Sequence, residues 1–349
     1  MRTCLCGLTI LCAAVVGASP LGAPEEPTPV RILFDSDMGS DCDDAGALAL
    51  LHSYADEDRA EIIGCVYSSG KVPFGAAIIE AINVYYGRGD IPVGAAHDDV
   101  VGDPVDKMTA EKLARDQSAF GHRIVHNRDA PEQTRLCRRL LSAQPDGSVT
   151  YVTVGHTKGL HDLLVSEPDD VSPLDGATLI ARKVSRWVAM GAQGAANEER
   201  HWRTDWNLCR NGSAPFTDVL LDRFPRPVVF VGTGTDVLTG ASLARTPPGN
   251  IVRTVYRDWL WNHEQKVLED QRPSWDLIAA FFAVEGRRDL LVDVGDGHLD
   301  FDPKKGYRWE PGVAQDNHTL LVQKAGVSGE LAAYLNERLA RLPAAPRGQ

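Results

Sequence analysis

The chain has 349 residues, 43% of them hydrophobic and 24% charged, with a formal net charge of −12. That size and apolar fraction suit a globular fold with a large core, built as one large domain or two small ones. With no long basic run, the acidic balance argues against a nucleic-acid partner, because phosphate contacts need clustered Lys and Arg. It agrees better with cation binding or a neutral small substrate.

The first segment reads as an export signal. Arg2 gives a short positive start, Cys4 to Val16 is mostly apolar, and Val16-Gly17-Ala18 offers small residues before a cleavage point. The expectation is a signal peptide over 1–18, a Pro-rich tether over 19–29 and a single domain over 30–345, in a protein exported to the periplasm or secreted. The apolar run is too short to span a membrane, and no longer one follows. Loss of the leader removes Cys4, Cys6 and Cys12. Cys42, Cys65, Cys137 and Cys209 remain, and four cysteines allow three disulfide pairings among which sequence does not choose. The absence of CxxC spacing argues against a thiolate zinc site.

Short β-rich runs then alternate with helical ones, which predicts an α/β fold with a Rossmann-like, mostly parallel central sheet flanked by helices. Val30–Phe34 is the first expected strand, and Asp44–Tyr54 a helix apolar on most faces and hence buried. Strands are expected at Glu61–Tyr67, Ile91–Gly94, Val149–Val154, Val184–Met190 and Val228–Val231. Helices are expected at Ala76–Tyr86, Pro131–Leu141, Asn250–Val267 and Trp275–Val284. The polar, Gly-containing stretches 98–128 and 191–211 read as long loops, which in such folds lie over the carboxyl ends of strands.

One segment carries most of the chemistry. Between the first strand and the buried helix stand Asp35, Asp37, Asp41, Asp43 and Asp44, five carboxylates within ten residues. A single Asp here would be a helix N-cap. Five would repel one another, and a helix N-terminus favours an anion by only ~0.3–1 kcal/mol. A divalent cation can hold them together, and Ca2+ takes six to eight oxygen ligands of this kind. No matching His/Cys set points to zinc.

The segment resembles the DxDxGxDDAxAL signature of the inosine-uridine preferring nucleoside hydrolase family, in a longer form with two extra residues before the paired aspartates. The matching residues are Asp35, Asp37, Gly39, Asp43, Asp44, Ala45 and Ala47-Leu48. The resemblance implies an N-glycosidase that splits a ribonucleoside or related N-riboside into base and ribose, in a fold whose members are commonly homo-oligomers. It implies a calcium-bound water activated by Asp37, which also touches the metal. Asp44, the backbone oxygen of Val154 and Asp276 would complete the metal shell. Asp43 would bind the ribose hydroxyls, with Asp41 competing for that role because of the insertion, and Asp35 would buttress the loop. Met190, then Asp205 and Asn207, match the element that holds the ribose.

Four departures from the family pattern stand out. Trp275 replaces the usual His before the last metal aspartate and offers an aromatic face to a heterocycle. Lys71 replaces an Asn near the substrate. The turn after the fourth strand reads Gly155-His156-Thr157-Lys158-Gly159 instead of GPxTN, and Asp205 stands for Glu. His156, His201 and His318 are the candidates to protonate the leaving base. Lys71 and Lys158 could favour an anionic leaving group or a phosphorylated substrate. Trp202 and Trp206, in a polar loop, are the aromatic site candidates.

Two rival readings follow from the same residues. Asp35-Ser36-Asp37 with Gly295-Asp296-Gly297 and Asp300 resembles the motifs of a haloacid dehalogenase-type phosphatase, although Gly39 departs from that pattern. The substitutions at Trp275 and Lys71 also suit a non-catalytic, calcium-dependent nucleoside-binding protein on the same scaffold.

Overall fold

The computed structural model describes residues 28–107, 109–197, 199–312 and 317–344. The expected signal peptide and nearly all of the tether lie outside the described residues. Eight strands form the main sheet: β1 (Val30–Ser36), β2 (Ala60–Tyr67), β3 (Val93–Ala95), β4 (Val149–Thr153), β5 (Val184–Met190), β6 (Val228–Val231), β7 (Leu291–Asp293) and β8 (His318–Gln323). Their order across the sheet is β3-β2-β1-β4-β5-β6-β8-β7. All pairings are parallel except β8 with β7.

This topology fixes where a site can form. β1 lies between β2 and β4, so successive connections leave it on opposite sides and a crevice opens beyond its carboxyl end. The aspartate cluster is the first thing the chain builds there.

The strands are buried on both faces, as their nearly unbroken apolar sequences require. One face is covered by α1 (Asp43–Ala55), α2 (Gly75–Tyr85), α4 (Ile251–Trp259), α5 (Trp275–Glu285) and α6 (Ser328–Leu339). The other is covered by α3 (Gln133–Ser142) and by shorter helices at Lys158–Leu164, Gly176–Lys183 and Ala214–Arg223. α1 has no polar stripe because it is sandwiched: Asp43 through Tyr54 are all buried. It lies against α5 at Gly46, where a Cβ would fall 2.4 Å from the Tyr256 hydroxyl and 2.9 Å from Leu277 Cδ1. That close approach sets the first turn of α5, and so Asp276, beside the first turn of α1.

Two expectations are corrected, and the cysteine question is answered. The helix expected over Asn250–Val267 stops at Trp259 and widens into a π turn, Leu260–Glu264, closed by Gln265 at φ 55°. The loop 98–128 contains short helices at Ala110–Arg115 and Gln117–Phe120. The four cysteines are free thiols, three of them buried, so none of the three disulfide pairings forms. No helix among the described residues is long and apolar enough to cross a membrane.

A candidate metal centre at the strand switch point

A cavity of about 400 Å³ opens at the carboxyl ends of the central strands. Its floor holds Asp43, Asp44 and Asp276, all buried, each offering an oxygen within 4.8 Å of the others. Local structure explains how such repelling groups are held. Ser36 Oγ donates to Asp44 Oδ1 at 2.6 Å, and the Asp276 backbone N–H donates to Asp43 Oδ2 at 3.2 Å. Asp44 Oδ2 and Asp276 Oδ1 are buried with no hydrogen-bond partner. A buried anionic oxygen without a donor is costly. The donor set fits a hard divalent cation: oxygens only, three carboxylates, two orphaned atoms in one place.

Electrostatics agree. Burial, reinforced by the neighbouring carboxylates, holds the Asp43, Asp44 and Asp276 carboxyls well above the usual carboxylate range. Asp35 lies deeper and differs. Burial lifts it to about 7, against hydrogen bonds from Ser68 and Tyr151 and with a small push from Asp37. It accepts the Tyr151 hydroxyl at 3.1 Å and does not line the cavity, which agrees with a buttressing role.

Asp37 lines the cavity beside the three-carboxylate group. Its Oδ2 accepts Ser40 Oγ at 2.9 Å and lies 3.1 Å from His156 Nδ1, which also meets Ser69 Oγ at 2.7 Å. Gly155 makes this approach possible, since a Cβ there would sit 2.3 Å from the Asp37 backbone nitrogen. Asp37 thus stands next to the group of Asp43, Asp44 and Asp276 and acts electrostatically on Asp44. The Val154 carbonyl faces the cavity and accepts Asn207 Nδ2 at 2.6 Å; the same amide nitrogen lies 3.7 Å from Met190 Sδ. A carbonyl oxygen keeps a second lone pair.

Asp205 also lines the cavity, but both of its oxygens are engaged. Oδ1 accepts the Leu208 N–H at 2.7 Å, capping the short helix Trp206–Cys209, and Oδ2 accepts the Ala192 N–H at 2.8 Å. Its visible work is to hold the turn after β5 in place. Trp275 lines the mouth, its indole N–H on Thr235 Oγ1 at 3.2 Å.

Other expected residues lie elsewhere. Lys71 is absent from the cavity lining; its Nζ donates to the Asn211 carbonyl at 3.3 Å beside a separate surface depression. Lys158 pairs with Asp98 and Asp162. His156 is fully buried behind Asp37, His201 is exposed beside Glu199, and His318 sits on β8, so none of the three lines the cavity. The imidazole that does is His263, carried there by the π turn and packed on Trp259 at 4.8 Å between ring centroids. Of the aromatic candidates, Trp206 lines the cavity, whereas Trp202 packs under Lys305 and Arg308.

Sequence reasoning also missed Arg272. Its guanidinium grips Asp41 through Nε (3.0 and 3.1 Å) and Nη2, and Glu264 through Nη1 at 2.9 Å. It lies 4.3 Å from the Trp259 ring centroid and 5.0 Å from that of Trp275. Asp41, which also lines the cavity, is thereby tied to the wall. A lone arginine before Pro273 gives no sequence signal for this.

The late aspartates that suggested a phosphatase are remote. Asp300 lies on the hairpin strand Gly297–Asp302, paired with Arg308, and neither it nor Asp296 reaches the cavity.

No protein-family model and no curated protein sequence matches the chain. Solved structures do. A plant nucleoside hydrolase is 16% identical, covering 89% of this chain and 99% of its own, with a TM-score of 0.62. The inosine-uridine preferring nucleoside hydrolase of Bacillus anthracis is 17% identical over 88% of this chain and 99% of its own, with a TM-score of 0.58. An inosine-guanosine nucleoside hydrolase is 13% identical over 90% of this chain and 100% of its own, with a TM-score of 0.63. At this level of identity the likeness concerns the fold: the chain has the α/β architecture of the nucleoside hydrolases.

Proposed function

We propose that this protein is a calcium-dependent N-glycosidase that hydrolyses a ribonucleoside or related N-riboside to ribose and free base. The observation that carries the reading is the buried group Asp43, Asp44 and Asp276, with two partnerless oxygens, on the floor of the switch-point cavity. Its position in a nucleoside hydrolase fold supports the choice of substrate class.

Asp37, Asp44 and Asp276, with the Val154 carbonyl and with Asp43 beside them, would hold the ion. When bound there, a divalent cation makes a coordinated water more acidic and orients a ribose diol. Asp37 stands beside the group as the general base, its carboxylate fixed by Ser40 and His156. Breaking an N-ribosidic bond develops positive charge on the sugar, and the carboxylate floor stabilises it through the low-dielectric cavity. Asp43 keeps the ribose role alongside its place in the ligand group. Asn207 and Met190 form the neighbouring wall, and Asp205 positions them. Trp275 offers a stacking face to the base, and His263 is the imidazole within the cavity that can protonate it.

Ribose release from a panel of nucleosides, with calcium and after chelation, tests the reading. Calcium-dependent release supports it and identifies the base. Tight nucleoside binding without turnover would favour the non-catalytic alternative, for which Trp275 in place of the usual His is the motive. Export is proposed separately on the leader sequence alone, and N-terminal sequencing of the mature protein would find Ser19 first if cleavage follows Ala18.

A further inference from the structure

We propose that Lys107, Arg210 and Trp206 form a subsite for a phosphate group carried on the substrate's ribose, so that the preferred ligand is a ribosyl phosphate or nucleotide-like N-riboside and not a free nucleoside. The inference rests on the N-riboside reading above.

The cavity is polarised. At one end Arg272 lies against Trp259 and Trp275, and the two carboxylates it meets, Asp41 and Glu264, are balanced by Arg272 together with Lys266, which pairs with Glu264. That end therefore presents aromatic surface with little net charge, as a neutral heterocycle requires. The floor is lined by carboxyls and carries no cationic side chain for a phosphate. At the other lip Lys107 Nζ stands 4.6 Å from the Trp206 ring centroid and the Arg210 guanidinium 5.9 Å from it.

The two cations are not equally committed. Lys107 pairs with Asp103 at 2.5 Å. Arg210 makes one hydrogen bond, to Thr204 Oγ1 at 3.2 Å, and no ion pair among the described residues. Arg210 is thus the less committed of the two: its one electrostatic neighbour of opposite sign, Asp205, already has both oxygens on backbone N–H groups. A guanidinium fork with a neighbouring ammonium is the donor pattern that suits a tetrahedral oxyanion.

The geometry is built and not incidental. The loop carrying Lys107 is stitched to the segment after Arg210, where the Gly102 N–H donates to the Asn211 carbonyl at 3.3 Å. Gly212 packs so closely that a Cβ would lie 2.9 Å from the Val100 carbonyl oxygen. Asp205 fixes the start of the short helix from which Arg210 projects. A sugar on the floor would lie between an aromatic end and a cationic end, so a base and a phosphate on the same ribose can each be met.

Calorimetric titration of the full chain in calcium with ribose, ribose 5-phosphate and inorganic phosphate tests this, in wild type, Arg210→Gln and Lys107→Gln. Both positions are at the rim, and melting temperatures serve as the folding control. The expected result is that ribose 5-phosphate binds on the order of tenfold more tightly than either ribose or phosphate. Arg210→Gln should remove most of that preference while leaving ribose affinity unchanged, with a smaller loss in Lys107→Gln. Equal affinity for ribose and ribose 5-phosphate overturns the proposal, as does a preference that survives both variants. Inorganic phosphate binding as tightly as ribose 5-phosphate also overturns it, since the lip would then be a general anion site. An Arg210-dependent preference without turnover of any nucleoside or nucleotide would remove the hydrolase reading and leave the subsite standing.

Discussion

Replacing Asp44 with Asn should make the protein more stable without metal and less stable with it. Asp43, Asp44 and Asp276 offer oxygens within 4.8 Å of one another. At an effective dielectric constant near 20, two unit charges at that distance repel by about 3.5 kcal/mol, so Asp44 fully ionised would oppose its two partners by about 7 kcal/mol. Burial and these neighbours hold the carboxyls well above the usual carboxylate range, so taking up a proton is the alternative to this repulsion. Holding one on a carboxyl at pH 7 costs about 4 kcal/mol, and that smaller figure bounds the penalty. Asn removes the charge and keeps an acceptor for Ser36 Oγ, now at 2.6 Å. Its amide nitrogen would replace the partnerless Oδ2, at a cost of about 1–3 kcal/mol. The net gain without metal is roughly 1–3 kcal/mol. Unfolding entropy for a fold of this size makes each kcal/mol worth about 1.5 °C, so Tm in chelator should rise by about 2–5 °C. In calcium at a thousand times its Kd, wild type gains about 4.1 kcal/mol, or about 6 °C, and the variant loses most of that. Differential scanning calorimetry in EDTA and in calcium should show the order of the two melting temperatures reverse. An Asn variant that melts below wild type in EDTA, or responds to calcium as wild type does, would refute the assignment of this group. The pH dependence has a definite sign. All three folded carboxyls sit above their ordinary range, chiefly through burial, so the metal-free protein has its full stability below that range and loses it as pH rises through the folded values. Calcium needs the ionised forms, so its stabilising effect should grow over the same rise.

Three further substitutions test separate parts of the account. Asp37→Ala should lower kcat by roughly 10²–10⁴-fold with little change in Tm, and near-normal turnover would remove Asp37 as the base. Arg272→Ala leaves Asp41 and Glu264, both mostly buried, without their partner, and should cost about 2–4 kcal/mol in urea unfolding. The same change made together with Asp41→Asn should cost less than the sum of the two alone. Glu80→Gln weakens the anchor of the loop before β4, because the buried Glu80 carboxylate accepts the N–H groups of Arg123 and Ile124 at 2.8 and 2.6 Å. Hydrogen exchange at those two amides should accelerate on the order of tenfold, equivalent to about 1.4 kcal/mol of lost local protection.

What the sequence disclosed and what it withheld divide along a physical line. Every strand from β1 to β6 was anticipated to within about three residues, since a buried parallel strand is a short apolar run bounded by polar loops. The aspartates were legible because five charges beside an apolar strand have few structural explanations. Asp276 could be added only through resemblance, since it reaches the floor by the packing of α5 on α1 at Gly46, a contact 230 residues apart that no local pattern encodes. The cavity walls were illegible for the same reason. His263 depends on a π turn that breaks the periodicity of the expected helix, and Lys107 and Arg210 meet over Trp206 from loops a hundred residues apart. Lys71 and His156 show the converse: each follows the carboxyl end of a central strand, β2 and β4, yet one faces another depression and the other is buried behind Asp37.

The two-residue insertion gains its meaning from Arg272. In the sequence it leaves three aspartates, Asp41, Asp43 and Asp44, competing for roles on the floor. The structure separates them by what each can pair with. Asp41 is partly exposed and meets a guanidinium that neutralises it, so it has no need of a cation. Asp43 and Asp44 begin α1, are buried, and crowd against Asp276 and Asp37, with no ion pair to either among the described residues. The extra residues thus convert one carboxylate into a strut joining the signature loop to the wall that carries Trp259 and Trp275. A wall braced in this way from the aspartate loop couples the aromatic end of the cavity to the position of Asp37. Loss of the Arg272–Asp41 pair should therefore disturb kcat as well as KM, whereas a wall that only binds the base would move KM alone.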